Sequence, residues 1–341
     1  MIDNASTTEN SQPPIRKPQF LEDLRRFGPE TATATTLDEA LIYCARLTAS
    51  HYENFSVVTR LTPRPLRPAF SAVYSFCRWS DDLGDEVGDP ERSRELLAWW
   101  RGELRAMYQG QARHPVYLAL GETVREFGIP IEPFEALISA FEQDQDLTDY
   151  PSFDQLLDYC TRSANPVGHL VLYLGRVFND ENARLSDSTC TALQLANMWQ
   201  DVARDLAIDR IYLPGDDRDR FGVTEDDLRA LRFTPRFRAL MEFEVSRVRA
   251  MFHQGWPLVF RMPRPLAVDV DLFTRGGLAI LDRIERQGYD VLKARPALSK
   301  TAKAGLLLRS VLRPGPPRGR TFPARPPGKK PQVSAQRGPH S

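Results

Sequence analysis

The sequence predicts an all-α protein, on three observations. Apolar residues recur at three- and four-residue intervals along most of the chain, strand-like alternation is nearly absent, and no Asn-Gly or Asp-Gly hairpin separates β-rich runs. Without strands alternating with helices there is no parallel sheet to build, so helices must pack on helices. At 341 residues, 42% of them apolar, the chain is long enough to bury a core without cross-links. No Pro/Gly/Ser linker divides residues 34–312 and no internal repeat is visible, so a single domain is expected there.

The elements follow in order. Residues 1–33 are polar and carry Pro13, Pro14, Pro18 and Pro29, which reads as a flexible N-terminal arm with a short turn at Phe20 to Phe27. Thr36, with Glu39 three residues on, forms a capping box that opens the first firm helix, 37–49. Helical periodicity continues through 66–86, 91–109, 114–127, 132–146, 153–176, 186–208, 225–231, 236–254, 269–287 and 298–312. Within 153–176, Pro166 lacks an amide proton and crowds the carbonyl four residues back, so a kink is expected at Ala164-Asn-Pro-Val-Gly168.

The zero net charge hides an asymmetry. Residues 313–341 carry seven Arg or Lys, no acid, eight prolines and two large apolar residues, Phe322 and Val333. That composition offsets little ordering entropy, so a disordered basic tail is expected. It has no interleaved aromatics, and no nucleic-acid partner is expected. Four scattered cysteines with no Cys-x-x-Cys pair argue against a disulfide framework or a structural zinc, and the reading is a reducing, cytoplasmic protein. No run approaches eighteen apolar residues, which leaves peripheral contact at the inner membrane face as the open membrane reading. No Gly-x-Gly-x-x-Gly follows a strand, no Walker loop is present, and the five histidines lack ligand spacing, which weighs against Rossmann, kinase-like and zinc-hydrolase chemistry.

Two segments concentrate acid on helices. Tyr74, Arg78, Asp81 and Asp85 stand at i, i+4, i+7 and i+11 of one predicted helix; Gln194, Asn197, Asp201 and Asp205 stand at i, i+3, i+7 and i+11 of another. Each set shares one face. Both place carboxylates one turn apart near a helix C-terminus, where repulsion and the helix dipole are unfavourable by about a few tenths of a kcal/mol per pair. Local stability does not explain them. A hard divalent cation does, because Mg²⁺ takes oxygen from one or two carboxylates and completes its octahedron with water and phosphate. One such pair is ordinarily a solvated acidic face; two matched rows point to diphosphate chemistry.

At this point the chain resembles the squalene and phytoene synthase family of head-to-head prenyl transferases, over about residues 37–310. The resemblance rests on the helix ending in Asp81 to Glu86, the row Asn197 to Asp205, and the trailing Asp209-Arg-Ile-Tyr-Leu-Pro214. Within the family, His51-Tyr-Glu-Asn-Phe55, Ser80-Asp-Asp-Leu-Gly-Asp-Glu86 and Ser163-Ala-Asn-Pro-Val-Gly168 resemble the bacterial hopanoid-pathway branch called HpnC.

The resemblance implies an isoprenoid-synthase-like helical bundle around a central apolar cavity. It implies Mg²⁺ held by Asp81, Asp85, Asp201 and Asp205, diphosphate contacts from His51, Phe55, Arg78, Gln194, Asn197 and Arg210, and pocket tyrosines Tyr74, Tyr159 and Tyr212. For the HpnC branch it implies hydroxysqualene synthase, taking presqualene diphosphate and water to hydroxysqualene and diphosphate. Other squalene-pathway enzymes are implied partners. Ala164-Asn-Pro-Val-Gly168 departs from the Ala-Gly-Thr-Val-Gly of synthases that join two prenyl diphosphates. That departure favours the water-adding step over condensation of two farnesyl diphosphates to presqualene diphosphate or to squalene. A silent, lipid-presenting helical partner is disfavoured, since it has no reason to keep mutually repelling acids.

Overall fold

The computed structural model of the protein describes residues 17–31, 33–50 and 63–315. The first half of the bundle comprises α1 (Lys17–Phe27), α2 (Leu37–Ser50), α3 (Arg67–Asp85), α4 (Pro90–Tyr108), α5 (Pro115–Phe127), α6 (Glu132–Gln143), α7 (Phe153–Ser163) and α8 (Asn165–Leu174). The second comprises α9 (Asp180–Leu206), α10 (Gly215–Phe221), α11 (Glu225–Arg229), α12 (Pro235–Gly255), α13 (Arg264–Arg286) and α14 (Lys300–Leu312). Short 3₁₀ turns occupy Arg64–Leu66 and Trp256–Arg261. Among the described residues there is no strand, only one isolated parallel bridge between Asp149 and Ile211.

The capping box at Thr36 forms as expected: the Thr36 amide donates to Glu39 Oε2 at 2.9 Å, and the Glu39 amide to Thr36 Oγ1 at 3.4 Å. The expected arm needs correction where it is described. Residues Lys17–Phe27 form a helix, not a loose segment with a turn, because α1 buries Phe20 and Phe27. Phe20 meets Trp79 edge to face at 5.4 Å, and Tyr43 donates its hydroxyl to Asp23 at 2.8 Å. Two buried phenylalanines contribute roughly 1.5–3 kcal/mol each, enough to dock a polar eleven-residue helix. Residues 1–16 lie outside the described residues.

The expected kink at Pro166 is a full break. Ala164, at φ −113° and ψ −49°, separates the two helices, and Pro166 sits in the first turn of α8, where its missing amide proton is not needed. Asn165 is buried and accepts from Thr191 Oγ1 at 2.9 Å, tying α8 to α9. At Gly168 a Cβ would overlap Ser186 Oγ and Cys190 Sγ, so only glycine lets the two helices approach this closely. The helix expected at 186–208 begins earlier, at Asp180, because Asn179 caps it through the Asn182 amide at 2.9 Å. It runs against α8, α12 and α13, while α3 is packed by α2, α4, α5 and α6. The basic tail begins pinned: Gly315 donates its amide to Asp271 at 2.9 Å and accepts from Arg275 at 2.7 Å. Residues 316–341 lie outside the described residues. No helix among those described is long and apolar enough to cross a membrane.

Candidate active site

The two acid rows end α3 and α9 and share a basic residue between them. Asp209, at φ 58°, takes the left-handed position just past α9. Its amide donates to the Leu206 carbonyl at 3.2 Å and the next amide, Arg210, donates to the Asp205 carbonyl at 2.9 Å, the double closure of a Schellman turn. That turn throws Arg210 back across the helix end, and its guanidinium stands 3.6 Å from Asp85 of the opposite row. The same guanidinium draws down the carboxyls of Asp81, Asp144 and Asp205 electrostatically. The rows thus face a common space rather than unrelated sides of the molecule.

Burial in that space, reinforced by Asp85 and Glu86, pushes Asp81 up to about 6 against the pull of Arg78. Asp205 rises to about 7, from burial first and then the neighbouring Asp201 charge. These are the signs of crowded, partly desolvated like charges. Arg78 partly relieves its own row, donating from Nε to Asp82 at 2.9 Å and standing 3.3 Å from Asp81. Across the site, Arg295 forks onto Asp201, with Nη2 to Oδ2 at 2.8 Å. Among the described residues no group of three or more His, Cys, Asp or Glu side chains converges closely enough to hold a metal ion by itself.

A tyrosine cluster floors the space. The Asp149–Ile211 bridge, with the Ile211 amide on Thr148 at 2.7 Å, lays the trailing Arg-Ile-Tyr-Leu-Pro run beside Tyr150. Tyr150 stacks on Tyr212 at 5.8 Å and lies 5.4 Å from Tyr159. Tyr159 donates its hydroxyl to Asp144 at 2.9 Å, and burial pushes Tyr212 up to about 12. Tyr74 is half-buried on α3, one turn before Arg78.

Down the same two helices lies an apolar cavity of about 240 Å³, walled by Phe70, Val167, Val171, Leu193, Leu266 and Phe273 among others. From Cys190, in its wall, to Asp201 is eleven residues of α9, about 16 Å at 1.5 Å per residue. The acidic mouth and the apolar cavity thus lie at different levels of the same helix.

Of the residues singled out by sequence, Asp81, Asp85, Asp205 and Arg210 share the mouth, and Asp201 joins them through α9. Gln194 is half-buried and Asn197 exposed on the α9 surface. Tyr159 and Tyr212 enter the tyrosine cluster. His51 and Phe55 lie outside the described residues. Sequence reasoning missed Asp144, Tyr150 and Arg295. Asp144 was one of several acids at a helix end and Arg295 stands in an aperiodic loop, so neither carried a local signal.

The model of the squalene/phytoene synthase family matches residues 48–302, and the chain belongs to that family, whose enzymes condense prenyl diphosphates head to head. Among solved structures, squalene synthase HpnC from Alicyclobacillus acidocaldarius is 48% identical with a TM-score of 0.71, covering 74% of this chain and 95% of that one. Presqualene diphosphate synthase from Rhodopseudomonas palustris is 31% identical over 76% of this chain and 93% of its own length. Phytoene synthase from Thermus thermophilus is 33% identical over 83% of this chain and 94% of its own.

Proposed function

We propose that this chain takes presqualene diphosphate and water to hydroxysqualene and diphosphate. The observation that carries the reading is the form of the Ala164–Gly168 segment: it departs from the condensing pattern at Asn165 and Pro166, directly before Val167 and Gly168, which line the apolar cavity. The 48% identity to an HpnC protein supports the branch. Because that relative is described as a squalene synthase, complete squalene formation from farnesyl diphosphate is the second reading.

Asp81, Asp85, Asp201 and Asp205 would hold Mg²⁺. Their chemistry fits it: the donors are hard oxygens, and the burial and like-charge crowding that raise Asp81 and Asp205 are what a divalent cation offsets. Bound there, the metal would supply Lewis-acid neutralisation of the departing diphosphate. The chain supplies the rest. Arg210 and Arg78 offer planar guanidinium donors to phosphate oxygens, with strength that grows as charge develops on the leaving group. Tyr150, Tyr159 and Tyr212 present ring faces beside the mouth, able to steady a hydrocarbon cation. Aliphatic walls keep bulk water from the hydrocarbon until one molecule ends the reaction as an alcohol.

The test is product analysis by mass spectrometry after incubation with presqualene diphosphate, Mg²⁺ and ¹⁸O-water. Hydroxysqualene bearing ¹⁸O is expected without a reductant. Consumption of farnesyl diphosphate to presqualene diphosphate, or squalene appearing only with a nicotinamide reductant, overturns the assignment.

A further inference from the structure

Among the described residues, the apolar cavity is lined by one acid. Asp269 of α13 lines it between Leu266, Val270 and Phe273, and is 96% buried, with 4% of its surface exposed. Neither of its carboxyl oxygens has a hydrogen-bond partner among the described residues. Asp271, two residues on, shows how this helix treats a buried acid that serves the fold. It is wholly buried and takes hydrogen bonds from Trp256 Nε1 at 2.7 Å, Arg275 Nε at 2.6 Å and the Gly315 amide at 2.9 Å. Asp269 has none of these, so packing does not account for its polarity. A buried polar group left without a partner is unfavourable, and a leucine or valine there would complete an otherwise hydrocarbon wall.

We infer that Asp269 is a specificity-determining residue that sets how long a hydrocarbon tail the cavity accepts. The inference rests on the reading of the cavity as the chamber for a prenyl tail. Asp269 lies at the level of Ser186 to Leu193 of α9, the half of that helix away from the acid rows, since all of them line the same cavity. A tail that stops short leaves the carboxyl room for a polar neighbour. A tail one isoprene unit longer presses methyl groups against it and strips that neighbour away. Polar groups reject an apolar occupant far more sharply than a hydrocarbon wall rejects one extra methylene.

The probes are the unreactive thiolodiphosphate analogues of farnesyl (C15) and geranylgeranyl (C20) diphosphate, their binding to the full chain measured by calorimetry in Mg²⁺. The expected wild-type preference is for the C15 analogue. Asp269→Val, close in shape and apolar, is expected to strengthen C20 binding relative to C15 by about tenfold, while Asp269→Asn keeps the wild-type ratio. Asp269→Ala serves as a second apolar variant if the valine protein does not fold. An unchanged C20/C15 ratio in the apolar variants overturns the inference, as does failure of the C15 analogue to bind the wild type. Turnover of presqualene diphosphate by the wild type, run alongside, reports on the proposed reaction separately. A ratio that shifts without turnover upholds the role of Asp269 and removes the reaction; turnover without a shift does the reverse.

Discussion

Replacing Asp269 with asparagine removes one proton-binding site while keeping shape and polarity, which turns its burial into a measurable pH dependence. Burial alone pushes this carboxyl from 3.8 up to about 7. Between those values the folded protein holds a proton that the unfolded chain releases. The folded state binds more protons, so wild-type stability falls as pH rises through this window and levels off above about 7. The asparagine variant does not share that loss. At about 1.4 kcal/mol per pH unit, the difference between wild type and Asp269→Asn should grow by about 2.5 kcal/mol from pH 5 to pH 8, in favour of the variant. Urea unfolding of both proteins at pH 5, 6.5 and 8 reads this directly, since the other shifted acids contribute equally to each. A difference that stays constant across the range refutes the reasoning, and would mean that Asp269 is ionised and paired at every pH.

Asp81→Asn and Asp201→Asn should each abolish most of the rise in melting temperature that Mg²⁺ gives the wild type, measured by differential scanning fluorimetry, and lower turnover by at least about a hundredfold. Arg210→Gln removes the guanidinium that stands between the rows, and should weaken inorganic diphosphate binding by about tenfold in a calorimetric titration while the far-ultraviolet spectrum stays unchanged. Gly277→Ala forces a Cβ into the ring of Phe252, so a loss of roughly 1–3 kcal/mol in urea unfolding is expected at a position far from the acid rows.

The sequence by itself determined the helical class and most of the helices, because periodicity and caps are local. Thr36 and Glu39 meet three residues apart, and Ser152 caps α7 through the Gln155 amide at 3.3 Å. It also determined the composition of the acid rows, since i, i+4 spacing fixes a shared face whatever the surroundings. It misjudged α1, whose helix exists only because Phe20 and Phe27 find Trp79, Tyr43 and His114 from elsewhere in the chain. It read one kinked helix at Pro166 where packing of Asn165 and Gly168 against α9 leaves two.

What only the tertiary structure decided is which charges meet. Arg210 reaches Asp85 because a left-handed turn at Asp209 folds the chain back, and Arg295 reaches Asp201 across 94 residues of sequence. Asp144 joins the same space from a helix end that looked like ordinary solvated surface. Asp269 and Asp271 stand two residues apart on one helix, one lining the apolar chamber and the other meeting three donors. Hydrophobic period is written along the chain, whereas electrostatic and hydrogen-bond partnership depends on distances of a few ångströms between segments that the chain brings together only when it folds.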